Sequence, residues 1–516
     1  MTAPAYTTDL VDIDLAQATT NWTNIGTGAL AAETDFFVQN GICISKPGWT
    51  GDAVRGGICN AGAGLTIPSP GAFFAWVNFW GPGALETQAN GGVRLIIGSG
   101  TTAYKNWYLK GSDTIKPFEA WQCLPVDPTL TADLTTGSPS ATQQYFGWLA
   151  RIKTGSAIGK GNPWGCDAIR YGRGTLQSVD GETANFATFA GAEATANSTT
   201  NRWGLFQAIS GGYLMQGHFL MGTAGTAVDF RDSNRIISIA NTEKVVASFN
   251  LFEVRNSASR VDWTNITITA LGTVARGNFV MADNATANVS GCVFTDMGTF
   301  GFLSNAIVST STFRRCQLVT QGSGQFTSCT FDSTADAVKA MLVADPAKIT
   351  GCTFLSGGTK HAIEATTAGT YAFTGNTFTG YAGTDGDTGN EAFYNNSGGL
   401  VTLNISGGTT PSVRNGSGAS TVVNSTVTVT VTPLAAGSEV RAYRVSDGVE
   451  LSGTESSTGS SFALSLPSGT AVNIVVLGPV SDPLVTFTPV RLENRSFTVN
   501  QDLDPGQRSD RNFSNP

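Results

Sequence analysis

Three kinds of hydrophobic spacing succeed one another along this 516-residue chain. Up to about residue 175, apolar and polar positions alternate in short runs: FFAWVNFW (73–80), VRLIIG (93–98), NWYLKG (106–111) and YFGWLARI (145–152). Gly, Pro and Asn separate them. Period-two alternation suits strands with one buried face, and turns at this spacing predict a two-sheet, jelly-roll-like sandwich of concanavalin type. Strict alternation returns in NSTVTVTVTPL (424–434) and EVRAYRVSDGVEL (439–451), the latter with an Asp447-Gly448 turn, and SFALSLPSG (461–469) and AVNIVVLGP (471–479) follow. These predict antiparallel hairpins of a small Ig-like or transthyretin-like sandwich.

Between the two, five short segments resemble one another: NVSGCVFTD (288–296), FRRCQLV (313–319), FTSCTFDS (326–333), ITGCTFLS (349–356) and FTGNTFTG (373–380). In four of them a Cys stands two residues before a large apolar residue: Cys292/Phe294, Cys316/Leu318, Cys329/Phe331 and Cys352/Phe354. In the fifth, Asn376 precedes Phe378 in the same way. A two-residue step puts both side chains on one strand face, and recurrence at a fixed interval predicts strands stacked as rungs of a right-handed parallel β-helix. The steps from Cys292 to Cys316, Cys329 to Cys352 and Cys352 to Asn376 are nearly equal, and each is long enough for three short strands and three turns. The step from Cys316 to Cys329 is only about half as long, which implies either two related strands in one coil or a trimmed coil. TNITITALGT (264–273), RIISIANT (235–242) and VTLNISGG (401–408) extend the pattern in both directions, with Ile266 near the Cys292 place.

The fold class expected is therefore all-β, in five parts: a sandwich over 1–175, a connecting and capping segment over 176–204, a β-helix over 205–423, a sandwich over 424–500 and a polar tail over 501–516. All ten Trp lie at or before Trp263, nine of them before residue 204, which sets the N-terminal part apart. A solenoid end exposes strand edges and must be covered, a role that falls to 176–204.

Composition narrows the function. Charged residues are 13% of the chain against roughly 25% in ordinary soluble domains, and Thr, Ser and Asn supply the polarity instead. With a net charge of −8 and no Lys/Arg block, nucleic acid is not an expected partner. No apolar stretch approaches the length needed to span a bilayer, so no membrane partner is expected. The opening MTAPAYTTDLVDIDLAQ lacks a basic segment, so a secretory signal is not expected, and the chain is expected to be made in a cytoplasm and to leave it, if at all, within something larger. Four of the eight Cys belong to the ladder and are read as reduced core thiols; Cys43, Cys59, Cys123 and Cys166 form no CxxC pair, which argues against zinc and leaves their disulfide state open.

Candidate chemistry is sparse. Two His, His218 and His361, make triads and His-based metal sites poor expectations. TGSAIGKGN (154–162) misses the phosphate-loop spacing, so no nucleotide or other cofactor is expected. GTDGDTGNE (383–391) gathers Asp385, Asp387 and Glu391 in a Gly-rich loop that is a weak candidate for Ca²⁺, without the full EF-hand ligand spacing. A glycan-cleaving groove along the coils would need two carboxylates about 5–10 Å apart, and Asp296, Asp332, Asp336 and Glu364 are the weak candidates for them. Trp76 and Trp80 share a strand face with Phe74 and read as core before they read as a sugar platform.

The order of jelly-roll-like module, β-helix and small β-sandwich, together with CDAIRYGRGTLQ (166–177) and the ending RLENRSFTVNQDLDP…SDRNFSNP (491–516), resembles tailed-bacteriophage virion surface proteins of the head-decoration, tail-fibre and tail-spike kinds. The resemblance implies a non-enzymatic structural protein of the virion, assembled in the host cytoplasm, that mediates attachment or reinforces the particle. It also implies a homotrimer whose partners are its own copies, other capsid or tail proteins and, for an attachment role, a host cell-surface glycan. No catalytic motif carries over. The alternative is a tail-spike depolymerase, a hydrolase or lyase acting on host polysaccharide along the β-helix flank. A bacterial surface adhesin is a third reading, disfavoured by the start of the chain.

Overall fold

A computed structural model of the chain describes residues 9–41, 43–46, 48–50, 53–78, 81–115, 121–158, 164–178, 187–198, 201–302, 305–333, 339–358, 360–381, 389–454, 456–467, 470–478, 485–491 and 497–500. Trp80, Asp336, Asp385, Asp387, residues 159–162 and the tail 501–516 fall outside them. The described structure is all-β apart from one short α-helix and a few 3-10 turns. The chain divides into two compact units, Met1–Ala306 and Ile307–Pro516.

The first unit opens with a sandwich of two six-stranded antiparallel sheets. One runs Trp121–Val126, Ala72–Asn78, Trp164–Gly172, Cys43–Lys46, Ala31–Glu33, with Val11–Asp14 also on Trp164–Gly172. The other runs Leu134–Thr136, Ala103–Lys110, Val93–Gly100, Gln143–Arg151, Val54–Leu65, Trp22–Ile25. Phe73, Val77, Leu95, Ile97, Trp107 and Trp148 meet between them. Ala72–Asn78 is buried along its whole length because both its faces are covered. Phe73, Ala75 and Val77 enter the sandwich core, while Phe74 packs on Phe249 and the Trp76 indole N–H donates to the carbonyl of Arg202 at 3.0 Å.

Parallel coils follow in the same unit. A first sheet stacks Thr175–Ser178, His218–Met221, Leu251–Val254, Asn278–Met281 and Thr299–Gly301; a second stacks Gly212–Met215, Ile236–Ile239, Thr267–Ala270 and Val293–Thr295; a third stacks Asp229–Ser233, Arg260–Thr264 and Thr286–Ser290. In the first sheet Leu176, Phe219, Phe252, Phe279 and Phe300 stand in register and are buried. The helix Phe189–Ala196 closes the near end. Phe189 is fully buried, with its ring centroid 4.9 to 6.4 Å from those of Phe206, Phe219, Phe230, Phe252 and Trp263.

The second unit carries further coils. Its second-sheet strands Thr312–Arg314, Thr330–Ser333, Thr353–Ser356 and Thr377–Thr379 bring Phe313, Phe331, Phe354 and Phe378 into one file. Successive rings lie 5.1, 4.7 and 5.2 Å apart and only 4°, 9° and 15° from parallel. Each rung is entered through a corner. Gly351 and Gly375 adopt φ of +63° and +68°, which favours glycine, and their N–H groups donate to the next coil at Thr374 and Ser406, both at 2.9 Å. The residue after the corner then turns inward. Cys329 and Cys352 do so as hydrogen-bonded neighbours, and the bond to Cys329, together with burial, raises the Cys352 thiol far above its ordinary range. Asn376 does so with its amide satisfied: Oδ1 accepts from Cys352 N at 2.9 Å and Nδ2 donates to Ile349 O at 2.8 Å. In the first unit Cys292 follows Gly291, φ +63°, and Phe294 continues the row of Ile237 and Ile268.

One pair of the expected ladder stands elsewhere. Phe313, not Leu318, shares the row of Phe331, and Ser311 takes the Cys place: Thr330 N donates to Ser311 O as Thr353 N does to Cys329 O. Cys316 sits at a different corner, after Arg315 at φ +52°, and leads into the first-sheet strand Leu318–Thr320, where Val319 is buried and Leu318 only half-buried. The short step from Cys316 to Cys329 joins two unlike corners, and the coil that runs from Ser311 to Cys329 is a trimmed one.

The C-terminal sandwich grows directly out of the coils. Ser420–Thr432 pairs in parallel with Leu400–Ser406 over its first half and antiparallel with Phe462–Pro467 over its second. Facing it are Glu450–Thr454, Glu439–Arg444, Ala471–Leu477 and Val485–Arg491, around a core that includes Val429, Val431, Val440, Leu464 and Ile474. The expected Asp447-Gly448 turn is present, with Gly448 at φ +70°.

Two outcomes follow. Phe354→Ala opens a hole in the middle of a ring file and is expected to cost about 3–5 kcal/mol, read by denaturant unfolding, with Phe354→Leu costing clearly less. All eight cysteines are buried and free. A thiol reagent should therefore titrate almost none in the native protein and eight after unfolding; a count of six or fewer would reveal a disulfide.

Candidate functional site

Within the second unit the described candidate acids do not converge. Asp332 lies on the second sheet, in register with Arg314 and Leu355, and is 3.3 Å from the Arg314 guanidinium. Glu364 lies on the first sheet, in register with Leu342 and Tyr394, on a different side of the coil. Its oxygens are engaged: Oε2 stands 3.1 Å from His361 Nε2, and Oε1 accepts from Asn396 Nδ2 at 2.9 Å. His361 and Glu364 are each only 6% exposed, and the His361 ring leans on Tyr394, over which Arg414 stacks at 4.0 Å. Asp296, in the first unit, holds a corner at φ +56° just after Val293–Thr295. Asp336 is outside the described residues. Hydrolysis of a glycosidic bond needs two carboxyl groups facing one substrate atom, and within the second unit Asp332 and Glu364, on different sheets and each already paired, do not supply them.

Of the expected calcium ligands only Glu391 is described. It is fully buried, and its two carboxylate oxygens have no hydrogen-bond partner among the described residues. No three His, Cys, Asp or Glu gather into a metal-holding group among the described residues. Nor is any described helix long and apolar enough to cross a membrane.

The polar chemistry concentrates instead where the N-terminal sandwich meets the first coils, and CDAIRYGRGTLQ is the crossing itself. Its first half is the last part of the strand Trp164–Gly172, and its second opens the first coil strand at Thr175. Asp167 Oδ2 accepts from the backbone N–H groups of Val38 and Gln39 at 2.7 and 3.1 Å; burial outweighs these bonds and raises its pKa to about 6. Arg170, 3% exposed, spreads its guanidinium over Asp12, Gln39 Oε1 and the Arg202 carbonyl at 2.7, 2.9 and 2.7 Å. Thr175 donates its N–H to Asp9 at 2.7 Å, and its one hydroxyl proton is shared between Asp9 Oδ2 at 2.9 Å and His218 Nδ1 at 3.1 Å. His218 Nε2 lies 2.8 Å from Glu253 Oε2, and Arg255 grips Glu253 in a bidentate pair at 2.7 and 2.9 Å.

Burial lowers the His218 pKa, an effect the Glu253 hydrogen bond only partly offsets, so the imidazole is neutral at pH 7. Burial pushes Glu253 upward, but the bonds from His218 and Arg255 prevail and hold it at about 2. An acid–base residue poised near neutrality would be tuned the other way. The chain Asp9–Thr175–His218–Glu253–Arg255 is a structural strap.

One signal for this arrangement was in the sequence. Asp229/Arg231, Glu253/Arg255, Arg260/Asp262 and Glu439/Arg441 are opposite charges two residues apart, hence on one strand face, and all four pairs are bonded. Three acids on the coils, Asp229, Glu253 and Asp262, are thereby neutralised in place.

No family model matches the sequence, and no curated protein is similar to it. Among solved structures, the family 11 carbohydrate-binding module from Clostridium thermocellum, in complex with a β-1,3-1,4-mixed-linked tetrasaccharide, is matched at 10% identity over 32% of this chain and 96% of that chain, with a TM-score of 0.21. At that score the likeness bears on neither fold nor ligand.

The strap makes a pH signature. Glu253 binds its proton near pH 4.5 in the unfolded chain and near 2 in the folded one, so it contributes stability above pH 4.5 that is lost as pH falls toward 2. Glu253→Gln should be less stable than the parent at pH 6, and the gap should narrow as pH drops from 5 to 3. A gap that stays constant in thermal melts over that range would contradict the assignment.

Proposed function

We propose that this chain is a non-enzymatic structural protein of a tailed-phage virion surface, a head-decoration, fibre or spike component that reinforces the particle or mediates attachment, and that it works as a homotrimer. The observation that carries the reading is the disposition of its acids. Glu253, Asp262, Asp332 and Glu364 are each tied to Arg or His, and the two described candidates of the second unit, Asp332 and Glu364, lie on different sheets. Side chains held in this way stiffen a scaffold. The strand shared between coils and C-terminal sandwich supports the same role, because it lets a coil stack present a folded module without a flexible linker. The resemblance in module order and in the crossing segment points to the virion as the place where such a scaffold serves.

Incubation of the purified protein with host capsular or lipopolysaccharide is expected to release no new reducing ends, and antibody labelling of purified particles is expected to decorate them. Sedimentation equilibrium should return a mass near three times the 53.6 kDa of one chain. Release of reducing ends would replace this reading with the depolymerase.

A further inference from the structure

Within the first unit, the seam between sandwich and coils leaves a cleft of about 160 Å³. Its floor is apolar, from Leu109 at the end of Ala103–Lys110 and Leu124 in Trp121–Val126. Its rim is polar, from Gln88 and Lys110 on the sandwich side and Asn241 and Glu243 on the coil side. The rim is preset. Glu243 Oε2 accepts from Gln88 Nε2 at 3.1 Å and Oε1 from Asn241 Nδ2 at 3.3 Å, so carboxylate and amides are held in one row across the two modules. Just behind them the seam is pinned: Asp127 N donates to Lys244 O at 2.8 Å, and Lys244 Nζ meets Asp133 at 2.7 Å.

We infer that this cleft binds a single uncharged sugar ring, such as the terminal hexose of a glycan. A pyranose has an apolar C–H face and a ring of hydroxyls that both donate and accept. The floor matches the first. The rim matches the second, because each Glu243 oxygen keeps a further acceptor site beside its amide bond, the two amide oxygens accept as well, and Asn241 Nδ2 keeps a second N–H to donate. The size sets the limit. Pockets for drug-sized ligands run to about 300–1,000 Å³, so this one holds one ring and not a chain. The carboxylate at the rim disfavours acidic sugars. The inference does not depend on a virion role, since a sugar-binding seam would serve any surface protein.

Saturation-transfer NMR on the full chain, with the methyl glycosides of glucose, galactose, mannose and N-acetylglucosamine, tests it. At least one glycoside should show saturable transfer, with a dissociation constant on the order of 1 mM. Glu243→Ala and Gln88→Ala should each weaken that binding at least tenfold while the melting temperature stays within a degree or two of the parent's, Glu243 being an exposed rim residue. Absence of transfer from all four glycosides overturns the inference. So does transfer that survives unchanged in both variants, which would place the sugar elsewhere on the molecule.

Discussion

The structure depends on a file of side chains repeating from rung to rung. In a parallel coil each backbone N–H and C=O bonds to the coil above or below, so register cannot slip at one level without breaking the bonds of that level. Whatever points inward at one rung is therefore seated on its counterpart at the next. Phe313, Phe331, Phe354 and Phe378 satisfy this with rings nearly parallel and about one strand spacing apart, and Phe219, Phe252, Phe279 and Phe300 satisfy it on another sheet in the first unit. Corners, caps and ion pairs are the means by which the rest of the chain keeps those files intact. The turn residues at Gly351 and Gly375 aim the chain so that the next strand starts with its aromatic inward. Phe189 fills the terminal rung that has no neighbour of its own.

Polar groups follow the same logic in reverse. An acid on the outer face of a rung has a strand neighbour two residues away and a rung neighbour about 4.8 Å off. Placing Arg at either position neutralises it locally, as Glu253/Arg255 and Arg314/Asp332 do. Charge along the coils is thus met by charge close at hand. It accords with a composition low in charge and rich in Thr and Ser, whose short side chains pack on such faces without needing counterions.

How much of this the sequence discloses varies with the physics. The sandwiches were legible because period-two burial is local. The Cys-x-Phe motif was legible because it joins a corner to the start of a strand within a very short segment, and both demand particular residue types. The same logic misled at FRRCQLV: Arg315-Cys316 is also a left-handed residue followed by an inward thiol, but at another corner, and only register tells the two apart. The file from Phe219 to Phe300 was missed because its rungs are unevenly spaced, each coil shorter than the one before, and its strands HFLM, LFEV, NFVM and TFG share little besides the Phe. The seam was hidden for a plainer reason. Asp9 and Thr175, or Gln88 and Glu243, stand 166 and 155 positions apart, and nothing in either segment names its partner.

The strand Ser420–Thr432 has a mechanical consequence. From Ser420 to Thr426 it lies flush against Leu400–Ser406, and from Thr426 onward it is an inner strand of the C-terminal sandwich. Tension applied to that sandwich along the strand is borne as shear, by a row of backbone bonds that must all yield together. A module joined through a loop would let the row peel open one bond at a time. The joint is thus built to resist pulling along the strand.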